Sequence, residues 1–325
     1  MRISRVKVIV CLLIFSVVVG LELFLSRSKS SFSNARKSVK ASSSIKSWIS
    51  GIKGLSGKDS VVTSGQRLES VRKACRRTKK SWDSLSLTEK KILAKHILVN
   101  DEHKFLFCAV PKAACSNWKR VLMVIQGEAV DANAIRRVNH KGFTTLEDLP
   151  PLAVKRTLRE YYKFMFVRDP LSRLESAYKD KFVRNNTSFH KSYGRKIIKH
   201  VRKNAPVNAK GDDVSLKEFL QYVSESRVED MNEHWMPQFE LCQPCAVSYD
   251  FIGSVENLES DATEVLRELH VEEQVSFPKQ QSWYQTTGKG HYDTNLADVP
   301  SKLLQKVVSK YAKDYVLFSY PKPDV

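Results

Sequence analysis

Two short runs, KFLFCAV at Lys104–Val110 and KFMFV at Lys163–Val167, constrain the fold more than anything else in the chain. Each is apolar at successive positions, with no alternation of polar residues after its first lysine. A strand covered on both faces needs that composition; a strand with one wet face does not. Each run is then cut off, by Pro111 in the first case and by Arg168-Asp169-Pro170 in the second, and a helical pattern follows. Asn117–Gln126 sets Val121, Leu122 and Ile125 on one face, and Ser172–Phe182 reads as the second helix. A third strand is expected within Ala246–Gly253, with its helix over Asp261–Leu269. A last helix is expected over Pro300–Tyr315, burying Leu303, Leu304, Val307, Val308 and Tyr311. This repetition predicts an α/β fold, a parallel β-sheet flanked by helices, with ligands at the carboxyl ends of the strands.

The 325 residues suffice for one large domain with appendages. Val8–Leu25 is a stretch of 18 residues with one charge, Glu22, which reaches the minimum length for crossing a bilayer. Arg2, Arg5 and Lys7 precede it and put residues 1–7 on the cytoplasmic side. A cleaved signal peptide is the competing reading, since Val8–Leu21 has the length of its apolar region, but no small-residue cleavage site follows. The expectation is therefore a signal-anchor transmembrane helix over 8–25 and a flexible Ser/Lys-rich stem over 26–65. A lumenal domain fills 66–325. Either reading places that domain in the secretory lumen, where the overlapping sequons at Asn185 and Asn186 are glycosylation candidates. Disulfides persist there. Cys75, Cys108, Cys115, Cys242 and Cys245 are an odd set, so at least one thiol stays outside an internal bond. Cys242-Gln-Pro-Cys245 lacks a second pair at zinc spacing, which favours a local Cys242–Cys245 disulfide over a metal site.

The net charge of +19 is unevenly placed: residues 27–80 hold 15 Lys/Arg against two acids, whereas 81–325 hold 36 against 32. A polyanion argument must therefore be local, and a nucleic-acid binder is disfavoured by the membrane segment and the sequons. The local case is Lys179–Lys210, with ten Lys/Arg and one acid, Asp180. Phe189, Tyr193, Ile197 and Val201 recur every fourth residue there and predict a helix with one apolar stripe, weakened by Gly194. Arg195, Lys196, Lys199, Arg202 and Lys203 lie off the stripe, as a ridge suited to an acidic polysaccharide or as a solvated helix face.

The turn after the first strand, PKAACSN, lacks the glycines of an ATP-type phosphate loop. It still places Lys112 at a helix start, where free N–H groups and the helix dipole attract an anion. Ser116 is available as N-cap or hydroxyl donor. After the second strand, Arg168 stands at the same sheet edge, with Ser176 eight residues on, so both can reach one phosphate. The bland alternatives are a strand–helix connection with a surface lysine, and a helix start capped by Asp169 with Arg173 and Glu175 in solvent.

VPKAACSNWKRVLMV (Val110–Val124) resembles the 5′-phosphosulfate loop of Golgi carbohydrate sulfotransferases, and FVRDPLSRLESAYKDKF (Phe166–Phe182) resembles their 3′-phosphate segment. MNEHWMPQFELCQPCAVSYDFIG (Met231–Gly253) is similar to a block of the chondroitin/dermatan/HNK-1 branch. That block, GDDVSLKEFL (Gly211–Leu220) and QSWY (Gln281–Tyr284) together resemble the dermatan 4-O-sulfating type. The resemblance runs from about Gln66 to the C-terminus. It implies a P-loop-like sulfotransferase fold, a Golgi membrane location, and 3′-phosphoadenosine 5′-phosphosulfate as co-substrate, without a metal. It implies that Pro111, Lys112, Ala113, Ala114, Cys115, Ser116 and Asn117 wrap the phosphosulfate. Arg168 and Ser176 would hold the 3′-phosphate, with Asp169, Pro170, Leu171, Ser172, Arg173, Leu174 and Glu175 forming the turn between. Ser172 and Glu175 depart from the family pattern and leave Arg168 and Ser176 intact.

Sulfuryl transfer is an in-line displacement whose charge spreads onto peripheral and leaving oxygens, much as in phosphoryl transfer. Lys112 is the candidate for the leaving oxygen. Histidine suits the base. His140 stands about where related uronyl 2-O-sulfotransferases place theirs; His234, in the third block, is the second candidate. The implied acceptor is O4 of N-acetylgalactosamine in dermatan or chondroitin. Another acceptor, such as glucuronate O3 of an HNK-1-type glycan, and a glycosaminoglycan-binding pseudoenzyme are the alternatives.

Overall fold

Both aromatic runs are inner strands of one four-stranded sheet. Strands β1 (Ile97–Asn100), β2 (Phe105–Cys108), β3 (Tyr162–Val167) and β4 (Phe251–Ser254) lie side by side in chain order. The structure is a computed structural model and describes residues 62–279 and 296–324. The expected tail, the anchor, the stem up to residue 61, and Gln281–Tyr284 lie outside the described residues. Among the described residues no helix is long and apolar enough to cross a membrane.

Strands β2, β3 and β4 are parallel, as expected, but β1 runs antiparallel to β2, so the sheet is mixed. The reason is local. Helix α2 (Leu87–His96) feeds straight into β1, and only Asp101–Lys104 separates β1 from β2. Four residues suffice for a hairpin, whereas a parallel crossover needs a dozen or more. Every strand residue except Tyr162 is buried, which explains the unbroken apolar runs. On one face Phe107 stacks on Phe164 with centroids 4.9 Å apart. Trp118 of helix α3 (Cys115–Ile125) covers both Phe164 and Phe166 at 4.8 and 5.2 Å. On β4, Ile252 donates its N–H to Ser64 Oγ of helix α1 (Ser64–Cys75).

Helix α4 (Pro151–Glu160) leads into β3, and α5 (Pro170–Tyr178) follows it. The expected helix to Phe182 stops early: Lys179–Val183 forms a π turn. The expected continuous helix through Phe189 and Val201 also divides. Thr187–Phe189 is a single turn, His190–Gly194 is a second π turn, and only Arg195–Val201 is a regular helix, α6. Gly194 marks a close crossing: a Cβ there would sit 2.0 Å from Gly211 O, and one on Gly211 2.1 Å from His190 O. Neither position accepts a side chain unless a backbone moves. Helix α7 (Leu216–Glu225) and the short α8 (Gln238–Cys242) complete this half.

Of Ala246–Gly253, within which a strand was expected, the part from Phe251 on is β4, while residues 243–250 form the turn after α8, where Ala246 and Val247 both donate to Gln243 O. Helix α9 (Leu258–Glu268) follows β4. The last helix is two, α10 (Ser301–Lys310) and α11 (Ala312–Leu317), broken at Tyr311, whose hydroxyl donates to Trp235 O. Leu304, Val307, Val308 and Tyr311 are buried as expected, and Leu303 is only half-buried.

The cysteines pair over long range. Cys75 bonds Cys245 and Cys108 bonds Cys242, which corrects the expected local Cys242–Cys245 bond. Cys242 ends α8 and is buried against the last residue of β2. The next residue, Gln243, is left-handed (φ 42°, ψ 56°) and turns the chain so that Cys245 meets the end of α1 instead. Cys115 is the free cysteine among the described residues. The sequence separations are 170 and 134 residues, so each bond restricts the unfolded chain strongly. Cys242→Ser is expected to cost about 2–5 kcal/mol, read as a lower melting temperature. Non-reduced peptide mapping should recover Cys108 bound to Cys242; a Cys242–Cys245 peptide would overturn the pairing.

Candidate functional site

The carboxyl ends of β2 and β3 carry the two turns singled out in the sequence. In the first turn Lys112 (φ 69°) and Ala114 (φ 62°) are both left-handed without being glycine. Successive N–H groups in such a turn form a concave anion cradle. Ala114 is the N-cap of α3, with no side-chain cap. Its carbonyl accepts from the N–H of both Asn117 and Trp118. The N–H groups of Cys115 and Ser116 therefore have no acceptor within the helix. Ser116 lies in the first turn and is not the N-cap. The Asn117 amide oxygen accepts from Arg120 Nη1 at 2.8 Å and faces its own helix.

In the second turn, Asp169 caps α5 by accepting from Ser172 N at 2.8 Å. Burial pushes its carboxyl up to about 6. Gln238 brackets Arg168, accepting from its N–H at 2.9 Å and donating to its carbonyl at 2.8 Å. The N–H groups of Gln238 and Phe239 are held in turn by the fully buried Asp314 carboxylate, at 2.8 Å each. The Arg168 guanidinium remains half-exposed and donates through Nη1 to Lys112 O at 3.4 Å. The two turns thus touch, and their cations share one edge of the sheet.

Arg173 is not in solvent. It is 1% exposed and donates to three carbonyls: Pro111 O at 2.9 Å, Met236 O at 2.7 Å and Glu233 O at 2.9 Å. It buckles the first turn to the third sequence block. Leu171 and Leu174 are buried on the same helix. Glu175 pairs with Lys179 at 2.7 Å, while Ser172 and Ser176, four residues apart on α5, stay half-exposed.

Lys112 has a partner that no local pattern announced. Its ammonium, 9% exposed, lies 3.1 Å from Asp180 Oδ2. The π turn after α5 presents Asp180 there, and Lys181 Nζ meets the same oxygen at 3.1 Å. Burial lowers the Lys112 pKa and the Asp180 charge opposes that shift. Burial raises the Asp180 pKa, but Lys112 and Lys181 outweigh it and hold the carboxyl below its usual range.

Burial lowers the pKa of each candidate histidine; Lys119 adds to this for His140, and Lys181 for His234. Their hydrogen bonds differ. Lys119 Nζ, which is only a donor, lies 3.3 Å from His140 Nδ1, so that nitrogen carries the lone pair and is already engaged. Asn232 Nδ2 donates to Tyr193 OH at 3.1 Å, which orients its Oδ1 toward His234. His234 Nδ1 then donates to Asn232 Oδ1 at 2.7 Å. The neutral ring consequently keeps its lone pair on Nε2. Burial holds the His234 pKa well below the usual imidazole value, Lys181 adds to this, and Glu233 opposes it.

The ridge is partly present. Arg195, Lys196, Lys199 and Lys203 are exposed. Arg202 is not part of it: Nε and Nη2 donate to Glu218 at 2.6 and 3.0 Å, and Nη1 donates to Asp213 at 2.8 Å. That fork staples the end of α6 to the start of α7. Asn185 is exposed, whereas Asn186 Oδ1 accepts from Phe189 N at 3.2 Å and caps the next turn. No group of His, Cys, Asp and Glu able to hold a metal occurs among the described residues.

A family model described as the sulfotransferase family matches residues 95–321. Carbohydrate sulfotransferase 14 of Danio rerio is 44% identical over 271 residues, covering 82% of this chain and 74% of the relative. The Homo sapiens protein of that name is 44% identical over 245 residues, covering 75% of this chain and 65% of its own length. Carbohydrate sulfotransferase 11 of Rattus norvegicus is 38% identical over 243 residues, 71% of this chain and 68% of the relative. No solved structure matches.

Proposed function

Because the chain belongs to the sulfotransferase family, we propose that it sulfates O4 of N-acetylgalactosamine in dermatan or chondroitin chains. The observation that carries this reading is the contact between the two turns, in which Arg168 reaches the backbone of Lys112. A nucleotide with anionic groups at both ends can then lie across one edge. The residues fit it: free N–H groups at the head of α3, the buried Lys112 ammonium and the half-exposed Arg168 fork. The co-substrate, 3′-phosphoadenosine 5′-phosphosulfate, supplies an activated sulfuryl group with a stable nucleotide as leaving group. In this reading Lys112 serves the leaving oxygen, and Ser176, with Arg168, holds the 3′-phosphate. His234 takes the acceptor proton on Nε2; the bond from Lys119 to His140 makes that ring the weaker candidate. The exposed cations Arg195, Lys196, Lys199 and Lys203 hold the acidic polymer.

The setting follows from the same reading: a single-pass Golgi membrane protein with its catalytic domain in the lumen. Two disulfides in the folded part support an oxidising compartment.

Incubating the full chain with labelled co-substrate and desulfated dermatan or chondroitin, then resolving the disaccharides, tests the activity. Label on the 4-position of N-acetylgalactosamine is expected. Label only on glucuronate of an HNK-1-type glycan would move the acceptor, and no transfer to any glycan would end the assignment. Arg168→Ala should raise the KM for the co-substrate about 10- to 100-fold, the loss of one or two charge-assisted hydrogen bonds. Its melting temperature should hold, because the side chain is half-exposed and makes one long contact. An unchanged KM would remove Arg168 from the phosphate site.

A further inference from the structure

Arg168 is held by its main chain. The Gln238 side chain accepts from the Arg168 N–H at 2.9 Å and donates to its carbonyl at 2.8 Å, so one amide fixes both backbone groups of the residue. Gln238 is itself fixed. It opens α8, whose N-cap, Pro237, offers no side-chain acceptor to the first N–H groups of the helix. Asp314 of α11 supplies both: Oδ2 accepts from Gln238 N and Oδ1 from Phe239 N, each at 2.8 Å. Gln238 and Asp314 are 0% exposed, out of reach of bulk water. Arg173 of α5, Tyr311 at the break between α10 and α11, and Tyr315 of α11 interact with the Asp314 charge. Its neighbour Lys313 pairs instead with Glu240 of α8 at 3.2 Å.

We infer that Asp314 is a positioning residue for the phosphate grip of Arg168, that it acts through Gln238, and that its ionised form is the one that holds the turn. The inference rests on the co-substrate site proposed above and extends it to a residue that touches no ligand. A guanidinium grips phosphate through two parallel N–H bonds, and such a fork tolerates little displacement of the Cα that carries it. The Arg168 side chain makes one long contact, to Lys112 O at 3.4 Å, so its main chain sets its aim. A carboxylate holds the two α8 N–H groups by charge-assisted bonds, and protonation removes the charge that strengthens both. Burial raises the Asp314 pKa to about 6, while the two N–H bonds and Arg173 oppose the shift. The carboxylate is therefore present above about pH 6 and is lost as the pH falls through that value.

The test is calorimetric binding of adenosine 3′,5′-bisphosphate to the full chain, with adenosine 5′-phosphate as the control that lacks the 3′-phosphate. Asparagine at 314 keeps one acceptor and sets an NH2 group against the other N–H. Asp314→Asn should weaken bisphosphate binding about three- to tenfold at about pH 7.5, the loss of roughly one hydrogen bond, and leave adenosine 5′-phosphate binding unchanged. In an Arg168→Ala background it should change neither, because the side chain that it aims is gone. The ratio of variant to wild-type dissociation constants should fall toward one at about pH 5, where the wild-type carboxyl is protonated as well. Protonation of the nucleotide, of Asp169 and of His234 cancels in that ratio, since both proteins undergo it. An unchanged constant at the higher pH would overturn the positioning role. So would an equal loss for both nucleotides, or an effect that persists in Arg168→Ala, since Asp314 would then serve the fold alone. A ratio that does not move with pH would overturn the part played by ionisation. Should Asp314→Asn fail to fold, Gln238→Met keeps the length of that side chain, removes both bonds to Arg168 and reads the same link, with the same fall in the ratio at low pH. Unchanged bisphosphate binding in Gln238→Met would overturn the link. Wild-type protein that shows this pattern yet transfers no sulfate would sink the proposed function and leave the link standing.

Discussion

Replacing His234 by alanine is expected to lower turnover about 10²- to 10⁴-fold, the usual contribution of a positioned general base. Binding of the co-substrate should survive, because His234 is held by Asn232 and not by the Lys112 or Arg168 turns. The pH dependence gives a second readout. A histidine whose folded pKa is depressed stays neutral, hence basic, until the pH falls through that lowered value. The acid limb of kcat/KM for the co-substrate should therefore lie well below the ordinary imidazole range. Once the anionic co-substrate is bound, its charge opposes that of Lys112 and Lys181 and raises the His234 pKa. The limb measured against acceptor at saturating co-substrate should move upward. The base would then gain strength only with the sulfuryl group in place. Wild-type turnover in His234→Ala, with collapse in His140→Ala, would transfer the role to His140.

Arg173→Lys should be among the most damaging changes in the chain although it preserves charge. The guanidinium makes three hydrogen bonds in three directions, to Pro111, Met236 and Glu233. A lysine ammonium is one point and cannot reach all three. Each buried carbonyl left without a donor costs about 1–3 kcal/mol. We expect a total loss of about 3–5 kcal/mol, the range for breaking a buried charged network, and a melting temperature roughly 10 °C lower. Position makes the loss functional as well. The Pro111 carbonyl directly precedes Lys112, and the Glu233 carbonyl directly precedes His234. Co-substrate affinity and turnover should thus fall together, unlike the turnover-only loss in His234→Ala. Thermal melting and titration with the nucleotide product check both effects. A variant that melts with wild type and binds nucleotide normally would show that Arg173 does not hold the two segments.

The arrangement of strands was legible where burial is two-sided. Lys104–Val110 and Lys163–Val167 announce themselves because no position alternates, and the helices after them follow from Pro111 and from Asp169-Pro170. β1 was not legible: Ile97–Asn100 continues α2 without a break, and four residues carry too little periodicity to separate strand from helix end. The Phe189–Val201 stripe was read as one helix because every fourth residue is apolar. The π turn that divides it ends at Gly194, where the backbone crosses Gly211. Of the site, Lys112 and Arg168 were found from their places after strands. Asp180 was visible only as the lone acid in a basic stretch, and that solitude was the one available signal. The roles of Gln238, Asp314 and Asn232 left none, since each acts on a segment distant in the chain.

What the chain determines locally is where its anion-binding turns fall. Two-sided burial, the stop after each strand and the exposed N–H groups of the next helix all lie within about twenty neighbouring residues, so composition and spacing suffice to locate them. Folding in three dimensions decides which cysteines pair, which acid faces Lys112, which nitrogen of His234 keeps its lone pair, and whether a basic residue faces solvent or, like Arg202 and Arg173, a fixed partner. Those outcomes depend on contacts such as Arg173 to Met236 or Cys75 to Cys245, which are 63 and 170 positions apart in the sequence. Hydrogen bonds and ion pairs act over a few ångströms, and no local pattern records which distant group the fold will bring that near.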